Sequence, residues 1–362
     1  MSISHDHGQT LVGAPNAVYQ GRDTGLTYLF DREGTLLHTF KIPHIMPGAL
    51  FGQAVALSSQ SVIIAAPHGR DELNTQTGAV YLFDRKIRNV RLTLNNPSPT
   101  SGVFGHAIAV AEQHVLVGDP QANSATAFRS GAVYLFDEVT GVLQKTFRPQ
   151  TEKTSRPTQF GQAVSLTGRQ VFISAPFGGT AGSEAGMVYL FDKQTGKMVR
   201  TFEPPISTPS LAFGWSFVVN DRVILIGAFG YQGTYREEGI AYLYDIQSGK
   251  LLNTFTNPHP TERARFGISV SLFSDLSIVA ATGDHVQAYG KIKGGEVYVF
   301  ASKTGALEQI LRDPFSATGA SDVFGHGLFS YDDSLLISAP FGGAGPELDA
   351  GLVYLLNRSK LE

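Results

Sequence analysis

The run "VYLFD", exact or varied, occurs seven times, with tyrosines at Tyr28, Tyr81, Tyr134, Tyr189, Tyr242, Tyr298 and Tyr354. The intervals are 53, 53, 55, 53, 56 and 56 residues. A near-constant period of this length marks a chain built by stacking one supersecondary unit. In the second unit four short runs stand out: Gln53–Leu57, Ser61–Ala65, Ala79–Asp84 and Val90–Asn95. Each is rich in Val, Ile, Tyr, Phe or Leu and is bounded by Gly, Pro, Asn or Ser, which reads as four strands. No window carries a sustained helical period with caps, so no long helix is expected. Four antiparallel strands per unit, repeated seven times, predict an all-β chain: a single-domain, seven-bladed β-propeller of four-stranded antiparallel blades. The units run over about 1–50, 51–103, 104–159, 160–212, 213–265, 266–323 and 324–362. The third strand is apolar nearly throughout (Val80, Tyr81, Leu82, Phe83), as suits a blade covered on both faces.

A second pattern brackets each unit. "FGQAVALSSQSVIIAAP" at 51–67 opens on Phe-Gly and closes on two small residues and Pro, and the Phe-Gly pair returns at 104, 160, 213, 266 and 324. Phe is expected to wedge between blades, and Gly to let the first strand enter where backbones crowd. The small closing residues (Gly13-Ala14, Ala65-Ala66, Ser174-Ala175, Ser338-Ala339) permit close approach, and Pro stops the strand.

Composition excludes several functions. A net charge of −3 gives no drive toward nucleic acid or an anionic membrane. With no Cys there are no disulfides, thiolate nucleophiles or Cys-based zinc sites. No stretch reaches the eighteen or so apolar residues of a membrane helix, so no membrane insertion is expected. The start, "MSISHDHGQTLVGAP", lacks a basic region followed by an apolar one, so it does not read as a signal peptide. G-x-S-x-G, P-loop, dinucleotide and zinc-helix motifs are missing, and no cofactor is expected. "HDH" at 5–7 falls on a short turn of unit one, where a surface metal is improbable.

Units headed by Phe-Gly and closed by Gly-Ala-Pro resemble FG-GAP repeats, the family that builds the N-terminal propeller of integrin α chains. Phrases such as "SGAVYLFDEVTGVLQKTF" are more similar still to the FG-GAP repeats of bacterial secreted proteins. The resemblance covers nearly the whole chain, and implies the fold and an extracellular or cell-envelope setting. Integrin-type units often hold calcium in a carboxylate-rich loop between strands one and two. Here only Asp332-Asp333 offers two acids, and they are adjacent, so no metal is carried over. Unit five closes on "GAF" and unit six on "AAT", so those blades should deviate at that rim. Unit seven stops near its third strand, which predicts either a chain trimmed from a larger protein or a latch made by "NRSKLE".

The connections between strands one and two, and between three and four, are short; the other two classes are long. Antiparallel alternation puts both long classes on one rim, the expected working face. The residues after Phe-Gly should lie at its channel mouth: Gln53, His106, Gln162, Trp215, Ile268 and His326. Trp215 is a candidate stacking platform for a sugar. The segments "GYQGTYREEG", "HPTERAR" and "HVQAYGKIKGG" add Tyr231, Tyr235, Arg236, Arg263, Arg265, Tyr289, Lys291 and Lys293. They predict a basic, tyrosine-rich sector for an anionic partner, with Glu237, Glu238 and Glu262 interleaved.

These features point to non-catalytic recognition of a glycan or protein by a monomer, without nucleic acid. One alternative is a polysaccharide lyase, with His106, His326, Tyr235 and Arg236 serving proton abstraction beside a uronate carboxylate. Another is a structural spacer in a larger secreted protein.

Overall fold

The computed structural model describes residues 1–69, 77–98, 102–124, 129–149, 157–179, 184–208, 210–273, 275–283, 294–314, 323–342 and 351–361. Strands follow one another as the repeat requires, and the chain is a seven-bladed β-propeller in which each blade is an antiparallel sheet with its strands in chain order, four in each of the first six among the described residues. Blade one comprises Ser2–Asp6, Gln9–Ala14, Leu26–Phe30 and Leu36–Lys41, with a two-residue hairpin (Val18–Tyr19, Arg22–Asp23) in its long loop. Blade two comprises Val55–Leu57, Ser61–Ala66, Ala79–Asp84 and Val90–Asn95; blade three Ala107–Ala111, His114–Asp119, Ala132–Asp137 and Leu143–Phe147; blade four Val164–Leu166, Gln170–Ala175, Met187–Asp192 and Met198–Phe202. Blade five holds Phe213–Val219, Val223–Ala228, Ile240–Asp245 and Leu251–Thr256; blade six Phe266–Leu272, Leu276–Ala281, Glu296–Ala301 and Leu307–Arg312. Blade seven shows three strands among the described residues, Gly327–Tyr331, Ser334–Ala339 and Leu352–Asn357. The tail does not add the fourth, because Arg358–Lys360 forms a 3-10 turn and Leu361 is fully buried against blade six and blade seven. The chain divides into two compact units, Met1–Thr201 and Phe202–Glu362, the boundary falling in the outer strand of blade four.

The bracket works between blades. Phe51 is fully buried in an apolar layer that joins Leu11, Leu29 and Phe40 of blade one to Val55, Tyr81 and Phe83 of blade two. Its ring sits 6.0 Å from Tyr81 and 6.3 Å from Phe83, edge-on to the latter. The same trio recurs as Phe104 with Tyr134 and Phe136, Phe160 with Tyr189 and Phe191, and Phe266 with Tyr298 and Phe300. Burying such rings is worth roughly 2–3 kcal/mol each, with more from edge-to-face geometry. The closing small residue receives the next blade's Gly: a Cβ on Gly13 would stand 2.0 Å from the Gly52 carbonyl oxygen, and one on Gly118 2.3 Å from that of Gly161.

The first strand of blade two begins later than expected, at Val55 rather than Gln53. Its first residues form a β-turn, in which the Gln53 N–H donates to the Leu50 carbonyl at 3.0 Å. Gly52 occupies the third position with φ +92°, as a type II turn requires.

A glycine before each third strand completes the blade-to-blade contact. The Phe160 backbone runs beside Gly131 in a parallel bridge, and a Cβ on Gly131 would fall 2.1 Å from the Phe160 carbonyl oxygen. Gly25, Gly78, Gly239 and Gly295 meet Phe51, Phe104, Phe266 and Phe324 in the same way.

On the short-turn rim, the Asp that ends most third strands folds the next turn. Asp137 Oδ1 accepts from the N–H groups of Val139 and Thr140, and Asp192 Oδ1 from that of Thr195. The following residue reaches back to the preceding blade. Arg85 binds the Asp6 carboxylate, the Asp6 carbonyl at 2.7 Å and Gln9 at 3.1 Å; Lys193 pairs with Glu112 at 2.9 Å; Arg358 pairs with Asp275 at 2.7 Å. Glu138 accepts a short hydrogen bond from Ser58.

Blade three departs from the bracket at one position. Asp119 stands where other units have Ala, and it is fully buried. Its Oδ1 accepts from Val103 N–H at 2.8 Å and Gln121 N–H at 3.2 Å, and its Oδ2 from the Asn96 amide at 2.9 Å. Burial outweighs these bonds and pushes its carboxyl up to about 6.

Candidate functional site

One backbone device delivers the residue after each Phe-Gly pair. The turn bond of Gln53 is repeated from His106 N–H to Val103, Gln162 to Gln159, Trp215 to Ala212 and Ile268 to Arg265, each at 3.0 Å, and from His326 to Val323 at 3.1 Å. The glycines carry φ between +86° and +97° at every repeat. Thus Gln53, His106 and Gln162 hold equivalent places on successive blades of the first unit, and Trp215, Ile268 and His326 on those of the second.

In the first unit, His106 is half-buried; its surroundings, and then the neighbouring charge of His68, hold its imidazole below the usual histidine range. In the second, the environment of His326 also pushes its imidazole down. Both shifts favour the neutral imidazole. Among the described contacts, the Tyr235 N–H donates to Glu238 of its own loop, while Arg236 meets Glu237 through its side chain and Glu262 of the neighbouring loop through its N–H.

Blade five gathers the densest set of expected residues. Phe229 occupies the position that is Pro in most other units, and its ring lies edge-on to half-buried Trp215 at 4.9 Å. The Arg265 guanidinium stands 6.0 Å from the Phe229 ring centroid, within cation–π range. Glu237 fixes it from the side, Oε2 accepting from Arg265 Nε at 3.1 Å while Oε1 meets Arg236 Nε at 3.5 Å. The two long loops are knitted by their main chains: Arg263 N–H donates to the Arg236 carbonyl at 2.7 Å, and Arg265 N–H to that of Glu237 at 2.8 Å. Glu238 Oε2 accepts from the Thr234 and Tyr235 N–H groups, which folds the loop that displays Tyr235, 41% exposed. Tyr231 closes its base, its carbonyl accepting from Gly239 N–H at 3.2 Å.

The result is a shelf running from Trp215 through Phe229 to Arg265, with Arg236 joined to it through Glu237 and Tyr235 displayed on the same loop. The expected surplus of positive charge is not found in its described part. Arg236, Arg263 and Arg265 are matched by Glu237, Glu238 and Glu262, because the interleaved acids bond directly to the arginines and the loop backbone. Tyr289, Lys291 and Lys293 lie outside the described residues. Phe229 was the signal visible in "GAF", where a strand-stopping Pro gives way to an aromatic ring.

Elsewhere the Asp6 of "HDH" is taken by Arg85 and His7, and among the described residues no three His, Asp or Glu side chains cluster as metal ligands. No helix of the described chain is long and apolar enough to cross a membrane. No family model matches the chain, and no curated protein matches it.

Proposed function

We propose that this chain is an FG-GAP-type propeller that recognises a carbohydrate without catalysis, in an extracellular or cell-envelope setting. The observation that carries this reading is the Trp215 ring, half-buried and edge-on to Phe229, whose own ring lies within cation–π range of Arg265. A sugar ring offers an apolar face for stacking and hydroxyls for a guanidinium or phenol, and a preformed shelf loses little entropy in binding it. Charge balance across the loops favours a neutral glycan over a polyanion. The FG-GAP assignment rests on the repeated Phe-Gly and Gly-Ala-Pro residues, and the setting on that resemblance.

Trp215 is the single tryptophan of the chain, so its fluorescence reports on this site alone. Titration with a panel of neutral oligosaccharides should shift the emission for at least one. The response should vanish in Trp215→Ala. Phe229→Pro, which installs the residue of the other blades, should weaken binding about tenfold, a loss of about 1.4 kcal/mol. A glycan that binds Trp215→Ala as tightly as the parent would remove the shelf from consideration. Silence across the panel would leave a protein as the partner of this face.

A further inference from the structure

On the short-turn rim of the first unit, a groove of about 410 Å³ opens between blades three and four. Its walls carry Lys145 of the blade-three outer strand, Arg169 of the first turn of blade four, and Lys193 of the turn after its third strand. The one carboxylate among them, Glu112, is committed to Lys193 at 2.9 Å. Lys145 and Arg169 therefore face the groove with no carboxylate of its lining to neutralise them. Asp192 feels the charge of Arg169 from outside the lining, where its Oδ1 is occupied by the Thr195 N–H and hydroxyl.

The preceding pair of blades shows why the gap is open here. Between blades two and three, Arg91 spans the seam, donating to the carbonyls of Glu138 at 2.8 Å and Val139 at 3.0 Å. Leu92 beside it packs into the apolar layer. Aligned on Leu94 and Phe147, blade three has Gln144 in place of Arg91 and Lys145 in place of Leu92. The bridging cation and the filling side chain are both replaced. Gly168 keeps the wall thin, since a Cβ there would meet Glu112 Oε1 at 2.9 Å.

The remaining polar groups define what would fill it. His114 Nδ1 lies 2.7 Å from the Glu112 carbonyl, which can only accept, so Nδ1 carries a proton and Nε2 of the neutral ring is an acceptor. Gln194 adds an amide able to donate and accept, and Gln144 adds another whose NH2 also reaches Asp137 Oδ2 at 3.5 Å. An acceptor and two amides around a pair of cations suit a polyhydroxylated anion rather than a bare one. We infer that this groove binds an acidic sugar unit, its carboxylate or sulfate against Lys145 and Arg169 and its hydroxyls on His114 Nε2 and Gln194. The site is independent of the Trp215 shelf.

Calorimetric titration of the full chain at pH 7 tests this, with an oligogalacturonate, a neutral gluco-oligosaccharide and inorganic sulfate as probes. The oligogalacturonate should bind, and lose about tenfold in affinity in Lys145→Gln and again in Arg169→Gln. It should weaken further in about 0.5 M NaCl, and be indifferent to Trp215→Ala. Melting temperatures of the two groove variants should stay close to the parent, since Arg169 is exposed and Lys145, half-buried, keeps part of its aliphatic stem in Lys145→Gln. The inference is overturned if the oligogalacturonate fails to bind at millimolar concentration, or binds both variants as well as the parent. Sulfate binding as tightly as the sugar acid would also overturn it, leaving a simple anion site.

Discussion

Replacing Asp119 by Asn removes a charge from the one bracket position where an acid stands for Ala. The carboxyl is fully buried and lifted to about 6, against roughly 3.9 in an unfolded chain. A folded pKa above the unfolded one means that the native state holds the proton more tightly. Stability from this group is then fully present below about pH 4 and is lost as pH rises through about 6. Two pKa units at 1.36 kcal/mol each, less the part already lost at pH 4 where the unfolded carboxyl is half ionised, make the loss about 2.4 kcal/mol between pH 4 and pH 7.5. Asn carries no such term. It also resembles the protonated acid, because either one presents a donor where Oδ2 now accepts from Asn96. The absolute effect at one pH mixes relief of the buried charge with that mismatch, worth about 1–3 kcal/mol. The difference between parent and variant across pH isolates the charge. Urea denaturation of both proteins at half-unit steps from pH 4 to pH 7.5 should show Asp119→Asn gaining about 2.4 kcal/mol on the parent as pH rises. A constant difference over that range would refute the assignment of the raised pKa to Asp119.

Gly131→Ala should cost more than about 3 kcal/mol, because the methyl would enter the Phe160 carbonyl at a backbone φ of +87°. Gly21→Ala, at φ +73° with no neighbour within 4 Å, should cost about 1 kcal/mol, and equal urea midpoints for the two would defeat the close-approach argument. Arg85→Met should lose about 2–3 kcal/mol by stranding the Asp6 carboxylate and two carbonyls, with the side chain only 12% exposed. Burial raises Asp6, but Arg85 and His7 prevail and hold it low, so that deficit should shrink only as pH falls below about 4.

Periodicity made the blades legible: a third strand with no polar face, as in Val80 to Phe83, reads as buried on both sides and is so. The Phe-Gly bracket was legible as a packing device, though a single repeat could not show that its two ends come from different blades. Gly78 and its equivalents escaped notice because a glycine before a strand reads first as a turn. Only the fold brings the next phenylalanine's backbone against it. Arg85, Lys193 and Arg358 share a position but not a chemistry with Glu138, so no residue type announced the ties between blades. At the shelf, Trp215 was found by its place after Gly214, and the neutralisation of Arg265 by Glu237 needed two loops folded together.

The turn that presents Trp215 is closed by main-chain atoms, a phenylalanine beneath and a glycine at its bend. The residue it displays contributes only its N–H to that closure. Gln, His, Trp and Ile already occupy the place without altering the 3.0–3.1 Å bond. The turn itself is consequently indifferent to the side chain it displays, and positions 53, 106, 162 and 326 could be rewritten while the scaffold persists, whereas Ile268 and Trp215 also pack on their neighbours.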